Sequence, residues 1–330
     1  MPSSSIDILG EAVSQGKGIQ IHLDIAKLHT RTKIEVPIII ERGKEPGPTI
    51  LITGGIHGDE INGVEIVRQI VAKGYNKPEK GMVICIPVVN IFGFLNQTRQ
   101  FPDGRDLNRV FPGSKTGSLA SIFAHHLMKE IVPLADYCLD FHTGGANRFN
   151  APQVRINEGD EESLELAKIF GASFIMKSKR REKSYRDSAI KMGKKVLLFE
   201  GGKSLDIDKK VTKVGVKGAL HIMHHLGVRD FSQEISSKGK KTEPIVVESS
   251  KWIRARYSGM FRSSAVLGKF YSKGEVIGSI SDPFGFFEKS VKALVNGYVF
   301  CVNQAPIVNK GDAIIHMSME KKEPSKKSEN

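Results

Sequence analysis

The chain has 330 residues, enough for one large α/β domain and a smaller one. At 40% apolar and 26% charged residues its composition is that of an ordinary globular protein, and no apolar run is long enough to span a bilayer. The formal net charge of +13 raises the question of nucleic acid, but no nucleic-acid module is recognisable, so steering of a small anionic substrate, or solubility alone, accounts for it.

Met1-Pro2-Ser3-Ser4-Ser5 lacks the charged and apolar regions of a secretion signal, so a cytoplasmic protein with no membrane partner is expected. Residues 18 to 42 alternate like strands, through Ile19, Ile21, Leu23 and Ile25, then Ile34, Val36, Ile38 and Ile40. Glu45-Pro46-Gly47-Pro48 predicts a turn before a strand that begins at Ile50. Ile61, Val64, Val67, Ile70 and Val71 recur at helical spacing, and Met82 to Asn90 is a fully apolar strand. Leu119, Ile122, Phe123, Leu127 and Ile131 mark a helix stopped by Pro133, and Tyr137 to Phe141 is again a strand. Ser163 to Phe170 is helical, Lys195 to Phe199 a strand, and Lys209 to Leu226 a helix closed by Gly227. The stretch from Lys177 to Lys195 holds nine Lys or Arg.

Ser236 to Lys241 is polar and reads as a linker, after which the texture changes to short strands punctuated by glycines. Gly274-Glu275-Val276-Ile277-Gly278 is echoed by Gly311-Asp312-Ala313-Ile314-Ile315, and the pattern resembles the folded-over β-sandwich of lipoyl and biotinyl carriers. No lysine stands clearly where a carrier would present one, so a structural or lid role is expected. The tail from Lys321 to Lys327 reads as a solvated basic end. Cys85, Cys138 and Cys301 are odd in number, far apart and without C-x-x-C, so buried core thiols are expected.

Strands that alternate with helices and are apolar on both faces imply a sheet covered on both sides, with ligands outside the carboxyl ends of its strands. Gly54-Gly55-Ile56-His57-Gly58-Asp59-Glu60 follows one such strand end, and Asp140-Phe141-His142-Thr143-Gly144-Gly145 occupies another. His57, Glu60 and His142 would leave a fourth tetrahedral position open, the arrangement of hydrolytic rather than structural zinc. Glu200 ends a third strand, and Asp103 to Gly113 between these segments is too polar to be core.

Together, G-G-x-H-G-D-E at 54–60, G-R-D-L-N-R-x-F-P-G at 104–113, D-F-H-T-G-G at 140–145 and F-E-G-G at 199–202 resemble the succinylglutamate desuccinylase/aspartoacylase family, relatives of the zinc carboxypeptidases. The resemblance runs from about residue 45 to 227. It implies a zinc carboxypeptidase-like mixed sheet flanked by helices over residues 1–243, a smaller all-β, barrel-sandwich-like part over 244–318, and a basic tail over 319–330. It also implies one Zn²⁺ on His57, Glu60 and His142, with Glu200 as the general base serving its bound water. Asn108 and Arg109 match the pair that grips a substrate carboxylate. The oxyanion arginine is either Arg99 or Arg105, with Arg99 favoured. Asp106 and Asp140 are candidates to orient the zinc histidines from behind. Arg148, Arg155 and Arg186 flank the site in sequence and are candidates to read the acyl group.

The expected activity is hydrolysis of the amide of a small N-acyl amino acid. A zinc carboxypeptidase acting on short or cell-wall peptides is the enzymatic alternative, and a noncatalytic binding protein the alternative from another class. A homo-oligomer is compatible with the composition.

Overall fold

The apolar runs assemble into one thirteen-stranded mixed sheet in the computed structural model, which describes residues 5–27, 29–236 and 243–320. Residues 1–4, most of the expected linker and the basic tail from 321 lie outside the described residues. Four strands at the centre run parallel, in the order Lys195–Lys203, Tyr137–Gly144, Glu45–Gly54 and Lys80–Ile86. Their side chains are buried on both faces, as parallel strands require. Ile50, Ile52, Leu139 and Phe141 meet Ile66, Ile70, Phe170 and Met223 from the helices Ile61–Ala72, Glu161–Phe170 and Lys209–His225. On the opposite face, Leu51, Ile84 and Cys138 meet Ala120, Phe123, Tyr185 and Ala189 from the helices Leu119–His126 and Tyr185–Lys191. Phe141 is fully buried, with Phe199 and Phe170 ring centroids at 5.7 and 6.4 Å. Its truncation to alanine would cost about 3–5 kcal/mol.

Three expectations change, and the first is that the strand expected over Met82 to Asn90 ends at Ile86. Glu45 to Pro48 is the start of the Glu45–Gly54 strand rather than a turn, because Glu45 already pairs with Lys80 and the register shifts only before Thr49. The two prolines sit in that irregular part, where a missing N–H costs no ladder bond. The helix from Leu119 does not run unbroken to Pro133. It widens into a π turn over Leu127–Ile131 and tightens into a 3-10 turn over Val132–Leu134, which accommodates the proline.

Beyond Lys195–Lys203 the sheet turns antiparallel, through Arg148–Ile156, Gly297–Asn303, Ala313–Ser318 and Ser250–Arg254. The last three belong to the glycine-punctuated C-terminal part, so hydrogen bonding crosses the boundary expected at 243. Ile245–Val247 crosses it as well, pairing with Phe174–Lys177. A four-stranded antiparallel sheet closes the C-terminal part into a sandwich, in the order Glu288–Lys292, Val276–Ser281, Gly259–Ser263 and Ile307–Val308. Phe261, Ile277, Ile280, Val299 and Ile315 fill it. The sequence echo has a backbone counterpart: Gly274 and Gly311 turn the chain into corresponding strands at φ +97° and +98°. No helix among the described residues is long and apolar enough to cross a membrane.

Candidate active site

The strand Glu45–Gly54 emerges at the carboxyl edge of the sheet and the chain turns sharply at Gly55, with φ +63°. A Cβ on Gly58 would stand 1.8 Å from the Gly93 carbonyl carbon, so only glycine lets this loop lie so close to its neighbour. Glu60 N–H donates to the His57 carbonyl at 3.2 Å, and this single turn brings the two side chains together. His142 lies on Tyr137–Gly144, and Asp140, two residues earlier, faces the same side.

The imidazoles close on one carboxylate. His57 Nδ1 lies 2.7 Å from Glu60 Oε1 and His142 Nδ1 2.7 Å from Glu60 Oε2. All three side chains are buried, and their candidate ligand atoms lie within 4.8 Å of one another. Each imidazole is held from behind by another carboxylate: His57 Nε2 is 3.1 Å from Asp106 Oδ1, and His142 Nε2 is 2.8 Å from Asp140 Oδ2. Thr53 Oγ1 donates to the other oxygen of Asp140 at 2.8 Å.

Burial alone would lower the pKa of His57 and His142, yet both are raised, His57 chiefly by Glu60 and His142 chiefly by Asp140. Burial works to raise Glu60, but the two imidazoles hold it well below the usual carboxylate range. Were each imidazole neutral with Nε2–H donated to Asp106 or Asp140, both Nδ1 lone pairs would face the centre. Two imidazole nitrogens and one carboxylate converging in this way could hold a metal ion, with two further carboxylates behind the imidazoles.

The two candidate oxyanion arginines part company. Arg99 lines the cavity; its Nε and Nη2 donate to Asp106 Oδ2 at 3.1 and 2.9 Å, and Nη1 to Glu60 Oε1 at 3.2 Å. Arg105 is not brought to the site. It is exposed, and among the described residues its side chain reaches Asp103, at 3.5 Å. The cause is local: Asp106 Oδ1 accepts from Asn108 N–H at 2.9 Å and caps the 3-10 turn Leu107–Arg109. Asp106, Asn108 and Arg109 thereby face the site, and Arg105 is left on the solvent side. Asn108 is also a strut, because its Oδ1 accepts from Tyr185 N–H at 2.8 Å. Arg109 lines the cavity beside it, and its pKa is lowered by burial and by neighbouring Arg181 and Arg99.

Glu200 stands on the cavity wall, and three donors converge on its Oε2: Asn150 Nδ2 at 2.9 Å, Arg155 Nη2 at 3.0 Å and Gln153 Nε2 at 3.4 Å. Asn150 and Gln153 carried no signal in the sequence, since residues three apart on a strand normally face opposite sides. A register shift between Glu200 and Gly202 on the neighbouring strand turns both toward one carboxylate. Arg148, Arg155 and Arg186 all line the cavity, joined by Lys179 and Arg181 of the basic stretch. Arg186 is 6% exposed, and burial, with Arg155 beside it, lowers its pKa to about 10. Trp252, Cys301 and His316 also line the cavity, and nothing local in the sequence marked them. The cavity measures about 480 Å³. The helical histidines His125, His126, His221, His224 and His225 do not line it.

The catalytic-domain model of succinylglutamate desuccinylase and aspartoacylase matches residues 46–226. The chain belongs to this family. It is 28% identical over 299 residues to an N-alpha-acetyl-L-2,4-diaminobutyric acid deacetylase of Halomonas elongata, covering 85% of this chain and 84% of that protein. Its fold is that of the succinylglutamate desuccinylase/aspartoacylase from Rhodobacter sphaeroides, at TM-score 0.79 and 24% identity over 92% of this chain and 96% of that one. It is also that of the product-bound ectoine utilization protein EutE (DoeB) from Ruegeria pomeroyi, at TM-score 0.79 and 21% identity over 97% and 99% of the two chains. The expected fold and family are therefore those found, and the family is one of deacylases.

Proposed function

We propose that the protein is a zinc-dependent deacylase that hydrolyses the amide bond of a small N-acyl amino acid. The observation that carries this reading is the convergence of His57, Glu60 and His142 at the same cavity as Glu200. His57, Glu60 and His142 are the residues that would hold Zn²⁺, which when bound supplies a Lewis acid for the acyl carbonyl and lowers the pKa of water to about 7.

The chain's own groups divide the remaining work. Asn108, through its Nδ2, and Arg109 hold the carboxylate of the amino-acid part; a planar guanidinium meets a carboxylate with two parallel hydrogen bonds. Arg99, already aimed at Glu60, donates to the carbonyl oxygen as negative charge develops there. Glu200 accepts the proton of the attacking water and returns it to the leaving nitrogen. All three donors to Glu200 meet Oε2, which leaves Oε1 for this transfer. Asp106 and Asp140 keep Nε2–H on each imidazole and Nδ1 toward the metal position. The excess of cationic over acidic side chains on the lining suits an anionic substrate.

The test is metal analysis together with an activity screen of N-acetyl and longer N-acyl amino acids. One zinc per chain and release of free amino acid are expected. A folded, metal-free protein without turnover, or release of C-terminal residues from peptides alone, would overturn the reading.

A further inference from the structure

The C-terminal strands contribute one wall of the cavity as an ordered row. Trp252 faces His316 in the antiparallel register, His316 faces Cys301, and Cys301 faces Asn150. Asn150 Nδ2 donates to Glu200 Oε2 at 2.9 Å, so the row ends at the carboxylate assigned the proton transfer. All five side chains line the cavity, together with Leu198 from the strand of Glu200. The rings of Trp252 and His316 are stacked, with centroids 4.1 Å apart and planes 15° from parallel, and Phe300 supports His316 from 4.4 Å. Trp252 has no further ring partner among the described residues.

This wall carries no charge. Burial, with Arg155 adding to it, lowers His316 to about 3, so the imidazole is neutral at physiological pH. Burial pushes the Cys301 thiol up to about 12, so it stays protonated. Arg148 and Arg155, on the strand between those of Glu200 and Cys301, border this row, and Arg99, Arg109, Arg181 and Arg186 add further guanidinium groups to the lining. The cavity is therefore basic over most of its lining, and its neutral, aromatic part is the far end of the row, at His316 and Trp252.

Strand order orients a substrate between them. Asn108 and Arg109 stand by Asp106 and His57, at the strand Glu45–Gly54; the strands of His142 and Glu200 follow, and those of Cys301, His316 and Trp252 lie beyond. With the carboxylate anchored at Asn108 and Arg109 and the scissile carbonyl between His142 and Glu200, the acyl group extends along the row.

We propose that Trp252, His316 and Cys301 form the acyl subsite, and that it takes an uncharged, apolar acyl group larger than acetyl, with a planar aromatic one matching the stack best. The proposal rests on the deacylase reading above. At about 480 Å³ the cavity lies in the range that encloses drug-sized ligands.

Trp252 is the single tryptophan of the chain, so intrinsic fluorescence of the full-length wild-type protein reports this wall without any substitution. The test compares N-acetyl, N-butyryl, N-succinyl and N-benzoyl derivatives of one amino acid by kcat/KM and by fluorescence titration. We expect kcat/KM to rise at least about tenfold from acetyl to benzoyl, the least that added apolar bulk gives in a fitted pocket. Saturable quenching should come at the lowest concentration with the benzoyl compound. Trp252→Ala should remove most of the benzoyl-to-acetyl ratio, and Trp252→Phe should restore much of it. Preference for acetyl or succinyl over butyryl and benzoyl, or fluorescence indifferent to every compound, would overturn the subsite; hydrolysis of the acetyl compound in that case leaves the deacylase reading standing. Saturable quenching by the benzoyl compound with no hydrolysis of any member would support the subsite and end the deacylase reading.

Discussion

Glu200 stands opposite His142 in the register of two neighbouring parallel strands, so the two side chains reach the cavity from one rung of the ladder. The backbone of the proposed base is thereby fixed beside the candidate metal ligand His142 by the strand ladder. Glu200→Gln preserves size and the contacts with Asn150 and Arg155 but removes the proton acceptor. The expected result is a fall in kcat of about 10²–10⁴-fold with metal content unchanged. Wild-type turnover in this variant would remove Glu200 from the chemistry.

Arg99 and Arg105 should separate cleanly. Arg99→Met is expected to lower kcat/KM by about 10²–10³-fold, the usual cost of one oxyanion donor. Arg105, exposed and tied to Asp103, should tolerate alanine with a stability change within about 0.5 kcal/mol and ordinary turnover. Equal losses in both variants would contradict the placement of Arg105.

Asp106→Asn and Asp140→Asn keep the shape of the residues behind the imidazoles and remove their charge. Competition with a chromophoric chelator should show zinc affinity lower by about 10–100-fold in each. Both variants should still fold, as judged by circular dichroism. Affinity unchanged in either would mean that its hydrogen bond does not orient the ligand.

Burial pushes the Cys138 and Cys301 thiols up to about 12, and Cys85 is fully buried. Since the thiolate is the reactive form, none of the three should react with an aromatic disulfide reagent in the native protein at pH 8. All three should react after denaturation. Fast native labelling of Cys301 would show that its thiol ionises in the cavity despite its burial.

Asp160 caps the helix Glu161–Phe170, accepting from Ser163 N–H at 3.0 Å and Ser163 Oγ at 2.8 Å. Burial works to raise its pKa, but these bonds lower it on balance. The folded value therefore lies below the unfolded one. Its contribution is present above the unfolded carboxylate pKa near 3.9 and is lost as pH falls through the folded value. Asp160→Ala should cost about 1 kcal/mol at pH 7, read by urea unfolding, and progressively less below about pH 4. A penalty independent of pH would point to packing rather than the cap.

The centre of this molecule was legible because its signals are local. Apolar runs of strand length, the glycines around His57 and the D-F-H segment each carry their own pattern, and together they marked the possible metal site of His57, Glu60 and His142. The choice between Arg99 and Arg105 was not legible, because it depends on a cap made by Asp106 that reverses which side chains face inward. Asn150 and Gln153 escaped notice for a related reason, a register shift that breaks strand alternation. Trp252 and His316 are separated from Glu200 by at least fifty residues of unremarkable sequence, and only strand pairing joins them to it.

The strand Gly297–Asn303 covers Arg148, Phe149 and Asn150, and Ile245–Val247 covers Phe174 to Met176. A fragment ending before Pro244 would thus present two raw β margins to the solvent, with bare amide and carbonyl groups ready to recruit any extended peptide. Such a fragment is expected to precipitate or swap segments with its copies.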